Sequence, residues 1–245
     1  MSGGRGTEAG MSGVMRIQGV IFDKDGTLFD FQATWGAWSR EMIRAEADGD
    51  PVIASRLADA LGFDLELGRF RPDSVVIAST VETVAKRILG VLPRLEKCEL
   101  IDRMNARAAE APQAEVPGLR ESLERLAAMG LALGVATNDT EGPARAHLRS
   151  AGVEEMFGFI AGYDSGFGGK PGAGQLLAFA EQSGLSPELC AMVGDSLHDL
   201  AAARMAGMAS VGVLTGVAGR DTLEPAADVV LGSIAELPDW IASQG

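Results

Sequence analysis

The segment Asp23-Lys24-Asp25-Gly26-Thr27 sets two carboxylates two residues apart on a loop that follows a short apolar run. Hydrolysing a phosphate monoester brings a nucleophile to a dianion, so charge must be neutralised and the leaving alkoxide must receive a proton. Asp23 and Asp25 suit that division of labour, one as nucleophile and one as general acid and base. Gly26 lets the backbone approach a phosphate closely. A second acidic cluster, Gly194-Asp195-Ser196-Leu197-His198-Asp199, spaces two carboxylates four apart at a predicted helix start, where both can face one side. Magnesium takes hard oxygen ligands and keeps several waters, so two carboxylates and a carbonyl suffice to hold it.

Each motif alone has a plainer reading. Asp-x-Asp-Gly also forms solvated turns, although a calcium loop fails because Thr34 stands where its twelfth-position Glu belongs. Asp195 alone reads as a helix cap, and so does Thr137-Asn138. Lys170 is one of four lysines and sits in Gly168-Gly169-Lys170-Pro171-Gly172. There it either binds phosphate and steadies an aspartate, or is an ordinary loop lysine. The order of a phosphate-binding P-loop is absent. His147 reads as a surface or interface residue, and His198 lies inside the second acidic motif without a required role.

These residues need elements to bring them together. Short apolar strands are predicted at 17–22, 131–137, 190–193 and 209–214, with helices over 118–129, 141–150, 173–183 and 199–206. Strand and helix alternate from residue 115 onward, which implies a parallel sheet with helices on both faces. Ligands bind such sheets at the carboxyl ends of the strands, and Asp23, Thr137 and Asp195 each stand at one. Residues 31–114 carry Ala, Leu, Arg and Glu at helical spacing, broken by turn signals at Asp48-Gly49-Asp50-Pro51 and Arg71-Pro72-Asp73. This stretch reads as an all-helical insertion. The organisation expected is a flexible extension over 1–13, a core over 14–30 and 115–245, and a helical cap over 31–114.

Composition narrows the partners. Across 245 residues the formal charge is −13, which disfavours nucleic acid and anionic membranes. No apolar run reaches the length of a membrane span. The Gly- and Ser-rich start lacks an apolar h-region and is not read as a signal peptide; Met11 or Met15 are alternative natural starts. Cys98 and Cys190 match no metal or redox spacing and read as small buried hydrophobes in a reducing cytoplasm. The partner expected is a small phosphorylated metabolite, and the chain a monomer or homodimer.

Taken in order, Asp-Lys-Asp-Gly-Thr after a strand, Thr-Asn after a strand, a loop lysine and Gly-Asp-x3-Asp after a strand resemble the haloacid-dehalogenase-like hydrolase superfamily, over residues 17–231. The resemblance implies an α/β fold, a Rossmann-like parallel sheet core with an inserted all-helical cap. It implies Asp23 as nucleophile and magnesium ligand, and Asp25 as general acid and base offering its carbonyl to the metal. Thr137, Asn138 and Lys170 would bind the phosphoryl group with Gly26 and Thr27. Asp195 would ligate Mg2+, supported by Asp199 from behind. The cap resembles that of the subgroup containing phosphoglycolate phosphatases, where it closes over the site.

Absences then separate subgroups. Asp25 argues against dehalogenation, because a halide needs no proton. The lack of lysine between Asp25 and Ala85 argues against phosphonate hydrolysis by a cap lysine, and the lack of histidine in 31–38 against sugar phosphomutases. A non-catalytic binding protein is disfavoured by the intact acidic set. On the cap, Trp35 and Trp38 could wall the pocket, and Arg69 with Arg71 could hold a substrate carboxylate in a bidentate pair.

Overall fold

The computed structural model describes residues 17–71, 74–77 and 79–244. The expected extension at 1–13, the first core residues 14–16, and Pro72 and Asp73 of the second turn signal lie outside the described residues. Six strands, β1 (Gly19–Phe22), β4 (Ala132–Ala136), β5 (Phe159–Ala161), β6 (Cys190–Gly194), β7 (Ala209–Val213) and β8 (Val229–Leu231), form one sheet. Its order is β5-β4-β1-β6-β7-β8, and every pairing is parallel. The chain builds leftward from β1 to β4 and β5, then crosses to β6 on the other side of β1. That reversal makes β1 the switch point of the sheet, where an open α/β fold leaves a crevice.

Alternation along β1 explains the two covered faces. Val20 and Phe22 enter one apolar cluster with Val135, Val193, Leu123 and Leu148. Ile21 faces the opposite cluster with Met192, Leu176, Phe179 and Ala203. Helices α5 (Leu119–Ala128), α6 (Glu141–Ser150) and α9 (Leu237–Ala242) cover the first face. Helices α7 (Gly174–Ser183) and α8 (Leu197–Ala206) cover the second. Strands buried on both faces read as continuous apolar runs, which is why β1, β4, β6 and β7 are visible in sequence. Strands β5 and β8 span three residues each and escaped the sequence pattern.

The insertion holds helices α1 (Phe31–Ala47), α2 (Pro51–Leu61), α3 (Val81–Val91) and α4 (Lys97–Ala109), packed around a hydrophobic core of their own. The turn signal at 48–51 works as read. Asp50 caps α2 by accepting from the amides of Val52 and Ile53, and Pro51 takes the first helical position. The insertion is not purely helical, however. Phe63–Asp64 and Arg69–Phe70 pair as a two-residue antiparallel hairpin, β2 and β3. Its Phe63 and Phe70, edge to face with 5.0 Å between centroids, close the core beside Phe31. Cys190 is buried as expected, whereas Cys98 is exposed on α4. No helix among the described residues is long and apolar enough to cross a membrane.

Candidate active site

Strand register does the first positioning. Phe22 lies level with Val135 on β4 and Val193 on β6, so the residues that follow each strand emerge side by side. Asp23 extends the β1 ladder by donating its amide to the Val193 carbonyl at 2.8 Å. Its Oδ1 accepts the Lys24 amide at 2.7 Å and lies 2.7 Å from Lys170 Nζ. Lys170 also reaches Asp199 Oδ1 at 2.6 Å. Asn138, just past β4, fixes that lysine by its backbone: Asn138 Oδ1 accepts from Lys170 N at 2.8 Å, and Nδ2 donates to Lys170 O at 2.9 Å.

Asp195 is placed by small neighbours. Gly26, with φ of +83°, and Gly216 both stand so close that a Cβ on either would run into the Asp195 carboxylate. Asp199 closes the first turn of α8 in a capping box, its Oδ2 accepting from Ser196 N (3.0 Å) and Ser196 Oγ (2.7 Å). The cap at this helix is therefore Ser196, not Asp195. Oxygens of Asp23, Asp195 and Asp199 lie within 4.8 Å of one another, a hard-donor set suited to a divalent cation. Burial raises the Asp23 carboxyl to about 7, helped by Asp199 and Asp25 and opposed by Lys170. Burial, Asp199 and Asp23 likewise push Asp195 well up. Burial acts to lower the Lys170 ammonium, but Asp199 and Asp23 outweigh it and hold it above the usual lysine range. One ammonium among three close carboxylates leaves negative charge that a cation would balance.

A second network surrounds Asp25. Its Oδ1 accepts from Lys24 Nζ at 2.7 Å and from Trp35 Nε1 of α1 at 2.7 Å. Lys24 is fully buried and lies 3.1 Å from His147 Nδ1, 3.6 Å from Asp139 Oδ2 and 5.3 Å above the Trp35 ring. His147 Nε2 meets the Ala108 carbonyl of α4 at 2.6 Å. A carbonyl only accepts and an ammonium only donates, so the proton sits on Nε2 and Nδ1 is the acceptor. Burial and the adjacent Lys24 lower His147 to about 4. Asp139, which lines the same cavity, is raised by burial to about 6 against the pull of Lys24.

The cavity over Asp23 is lined from the core by Asp25, Thr137, Asn138, Asp139, Lys170, Ser196, His198 and Asp199, and from the insertion by Trp35 and Trp38 among others. Thus the predicted Asp23, Asp25, Thr137, Asn138, Lys170 and Asp199 converge. Gly26 and Thr27 do not line it. Gly26 turns against Asp195, and Thr27 is fully buried. Arg69 and Arg71 are also elsewhere: Arg69 is exposed on β3, and Arg71 lies 3.5 Å from Asp59 on α2. His147 is 1% exposed and lies between α6 and the insertion, against Ala108 and Trp35, so of its surface or interface reading the interface alternative holds. Sequence reasoning passed over Lys24 and Asp139. The signal was available for Lys24, a charged residue inside an otherwise buried loop.

A family model described as haloacid dehalogenase-like hydrolase matches residues 17–207. The chain belongs to the haloacid dehalogenase-like hydrolases. Among curated relatives, the Probable phosphatase IndB of Dickeya dadantii is 36% identical over 214 residues, covering 86% of this chain and 87% of that one. The phosphoglycolate phosphatase of Chromobacterium violaceum is 42% identical over 123 residues. That match covers 50% of this chain and 54% of the relative, so the chain spans about half the relative's length. Among solved structures, a β-phosphoglucomutase from Clostridium difficile superposes with a TM-score of 0.67 at 20% identity, over 93% of this chain and 96% of that one. At that identity the likeness shows the haloacid dehalogenase-like fold, and the chemistry must be argued from the site.

Proposed function

We propose that this hydrolase is a magnesium-dependent phosphomonoester phosphatase acting on a small phosphorylated metabolite in the cytoplasm through an aspartyl-phosphate intermediate. The observation that carries the proposal is Asp23 at the carboxyl end of β1, held by Lys170 and flanked by Asp195 and Asp199. Asp23 and Asp195 would hold the metal with the Asp25 carbonyl. Both Asp199 oxygens are engaged, by Lys170 and by Ser196, which suits support rather than direct ligation. Bound magnesium would neutralise phosphate charge.

The chain's own groups then divide the work. Lys170 directs an ammonium at the phosphoryl site, and Thr137 lines it. An Asp23 carboxylate oxygen bonds to phosphorus while the bond to the substrate alkoxide breaks, and the alkoxide takes a proton from Asp25. Two donors already occupy Asp25 Oδ1, so the transferable proton is carried on Oδ2. Asp25 next accepts a proton from the water that attacks phosphorus, which releases inorganic phosphate and restores the Asp23 carboxylate. Relatives named phosphoglycolate phosphatase make phosphoglycolate, by analogy alone, the first ester to test, and the cavity lining decides whether it fits.

Phosphate release from p-nitrophenyl phosphate with magnesium present tests the proposal. Asp23→Asn should lower turnover by at least about 1,000-fold with an unchanged circular dichroism spectrum, the scale expected when a nucleophile is lost. Chelation should also silence the wild type. Near-normal turnover in the variant would refute the nucleophile, and chelator-resistant activity would refute the metal.

A further inference from the structure

The cavity over Asp23 joins two kinds of wall. Its floor carries Asp23, Asp25, Asp139 and Asp199 against a single lining ammonium, Lys170, already engaged by Asp23 and Asp199. The cap side presents Phe31, Trp38, Val76, Val84 and Met104, and its polar contributions include the neutral side chains Ser79 and Asn105. Among the described residues no arginine, and no lysine other than Lys170, lines the cavity. The basic residues of the cap are turned elsewhere. Arg103 pairs with Glu46 at 3.1 Å, Arg71 faces Asp59, and Arg69, Lys86 and Lys97 are exposed.

A leaving group bearing a carboxylate would leave water for a wall with no counter-ion. It would also face the Asp139 carboxyl across the same small space. Burying a charge without a partner is costly, and like charges across a partly buried pocket add to that cost. The same wall favours apolar surface, which gains by leaving water. The dianionic end has Lys170 beneath it, so the asymmetry of the cavity falls on the alcohol.

Resting on the phosphatase reading, we infer that the substrate is the phosphate ester of an uncharged alcohol with a largely apolar body. Carboxylate-bearing esters such as 2-phosphoglycolate are disfavoured by the cap wall. The cap selects by burying apolar area and by withholding a cation, a form of discrimination against the wrong partner as much as attraction of the right one.

Two primary-alkyl esters of similar leaving-group basicity separate pocket preference from intrinsic reactivity: 3-phenylpropyl phosphate and 3-carboxypropyl phosphate. With magnesium, kcat/KM for the first should exceed that for the second by at least about 30-fold, and 2-phosphoglycolate should fall with the second. Met104→Lys, which adds an ammonium to the wall, should shrink the ratio at least about 10-fold. Equal kcat/KM values for the two esters in the wild type, a preference for either carboxylate ester, or hydrolysis of p-nitrophenyl phosphate alone would overturn the inference. Those outcomes are read on the wild type, so they hold even if the variant misfolds. No phosphate release from any ester, p-nitrophenyl phosphate included, would instead overturn the phosphatase reading beneath it.

Discussion

The floor and the wall of the cavity are built on opposite principles. On the floor, the lysine and the carboxylates around it are held by directed polar contacts. Lys170 answers to Asp23, Asp199 and the Asn138 clamp, while Asp25 answers to Lys24 and Trp35. On the wall, apolar side chains from α1, α3 and α4 pack with few directed contacts. Removing one partner from a buried charge network strands the others, whereas an apolar wall tolerates exchange of similar volumes. The floor is therefore suited to fixed chemistry and the wall to a changeable substrate.

Lys170→Ala should break the floor most severely. It leaves Asp23 and Asp199 without their ammonium, close to Asp195, and the expected loss is about 3–5 kcal/mol in urea unfolding without metal. An unchanged midpoint would show that the floor is not a coupled unit. Magnesium should recover part of the loss, because a cation can replace the missing charge.

A smaller effect is expected where protonation of His147 meets the interface. With His147 at about 4 in the fold against 6.5 for the free side chain, the unfolded chain binds the extra proton between those values. Its contribution to stability is complete above about 6.5 and is lost as pH falls toward about 4, by about 3 kcal/mol in all. The raised carboxylates Asp23 and Asp139 slope the other way, losing their contribution as pH rises through about 7 and about 6. The difference between wild type and His147→Gln isolates the histidine. A pH-independent difference between pH 4 and 7 would remove His147 from the account.

The mildest test crosses from wall to floor. Trp35→Phe keeps an aromatic ring but deletes the N–H on Asp25, and kcat should drop about 10-fold, the scale of one hydrogen bond to a charged group. The drop should be larger for 3-phenylpropyl phosphate than for p-nitrophenyl phosphate, whose leaving group needs little protonation. An equal drop for both would make Trp35 a packing residue only.

How much of this could be read from the sequence follows the same division. The floor was legible because its residues stand immediately after buried strands, where apolar runs announce β1, β4 and β6 and parallel pairing forces their ends together. Helix α6 was read to its bounds, since Pro143 marks its first turn and the stretch falls in the strand–helix alternation after β4. The partnership of His147 was not legible, because Lys24 lies 123 positions away and Ala108 39 positions away, and only tertiary packing joins them. Arg69 and Arg71 misled for a related reason. A basic pair in a loop carries no sign of the face it will occupy, and the β2–β3 hairpin sends both away from the cavity.

The hydrogen bond from Trp35 to Asp25 spans the seam between cap and core, so an opening that carried Trp35 away from Asp25 would break it. A net contribution of about 1.5–3 kcal/mol for such a bond would bias closed over open by roughly 10- to 150-fold. Substrate would then compete with that contact, and Asp25, the proposed general acid, would hold both donors only with the cap closed. Esters that enter without drawing the cap down would meet an acid lacking one of its two donors. Timing, as well as fit, would decide which phosphates are cleaved.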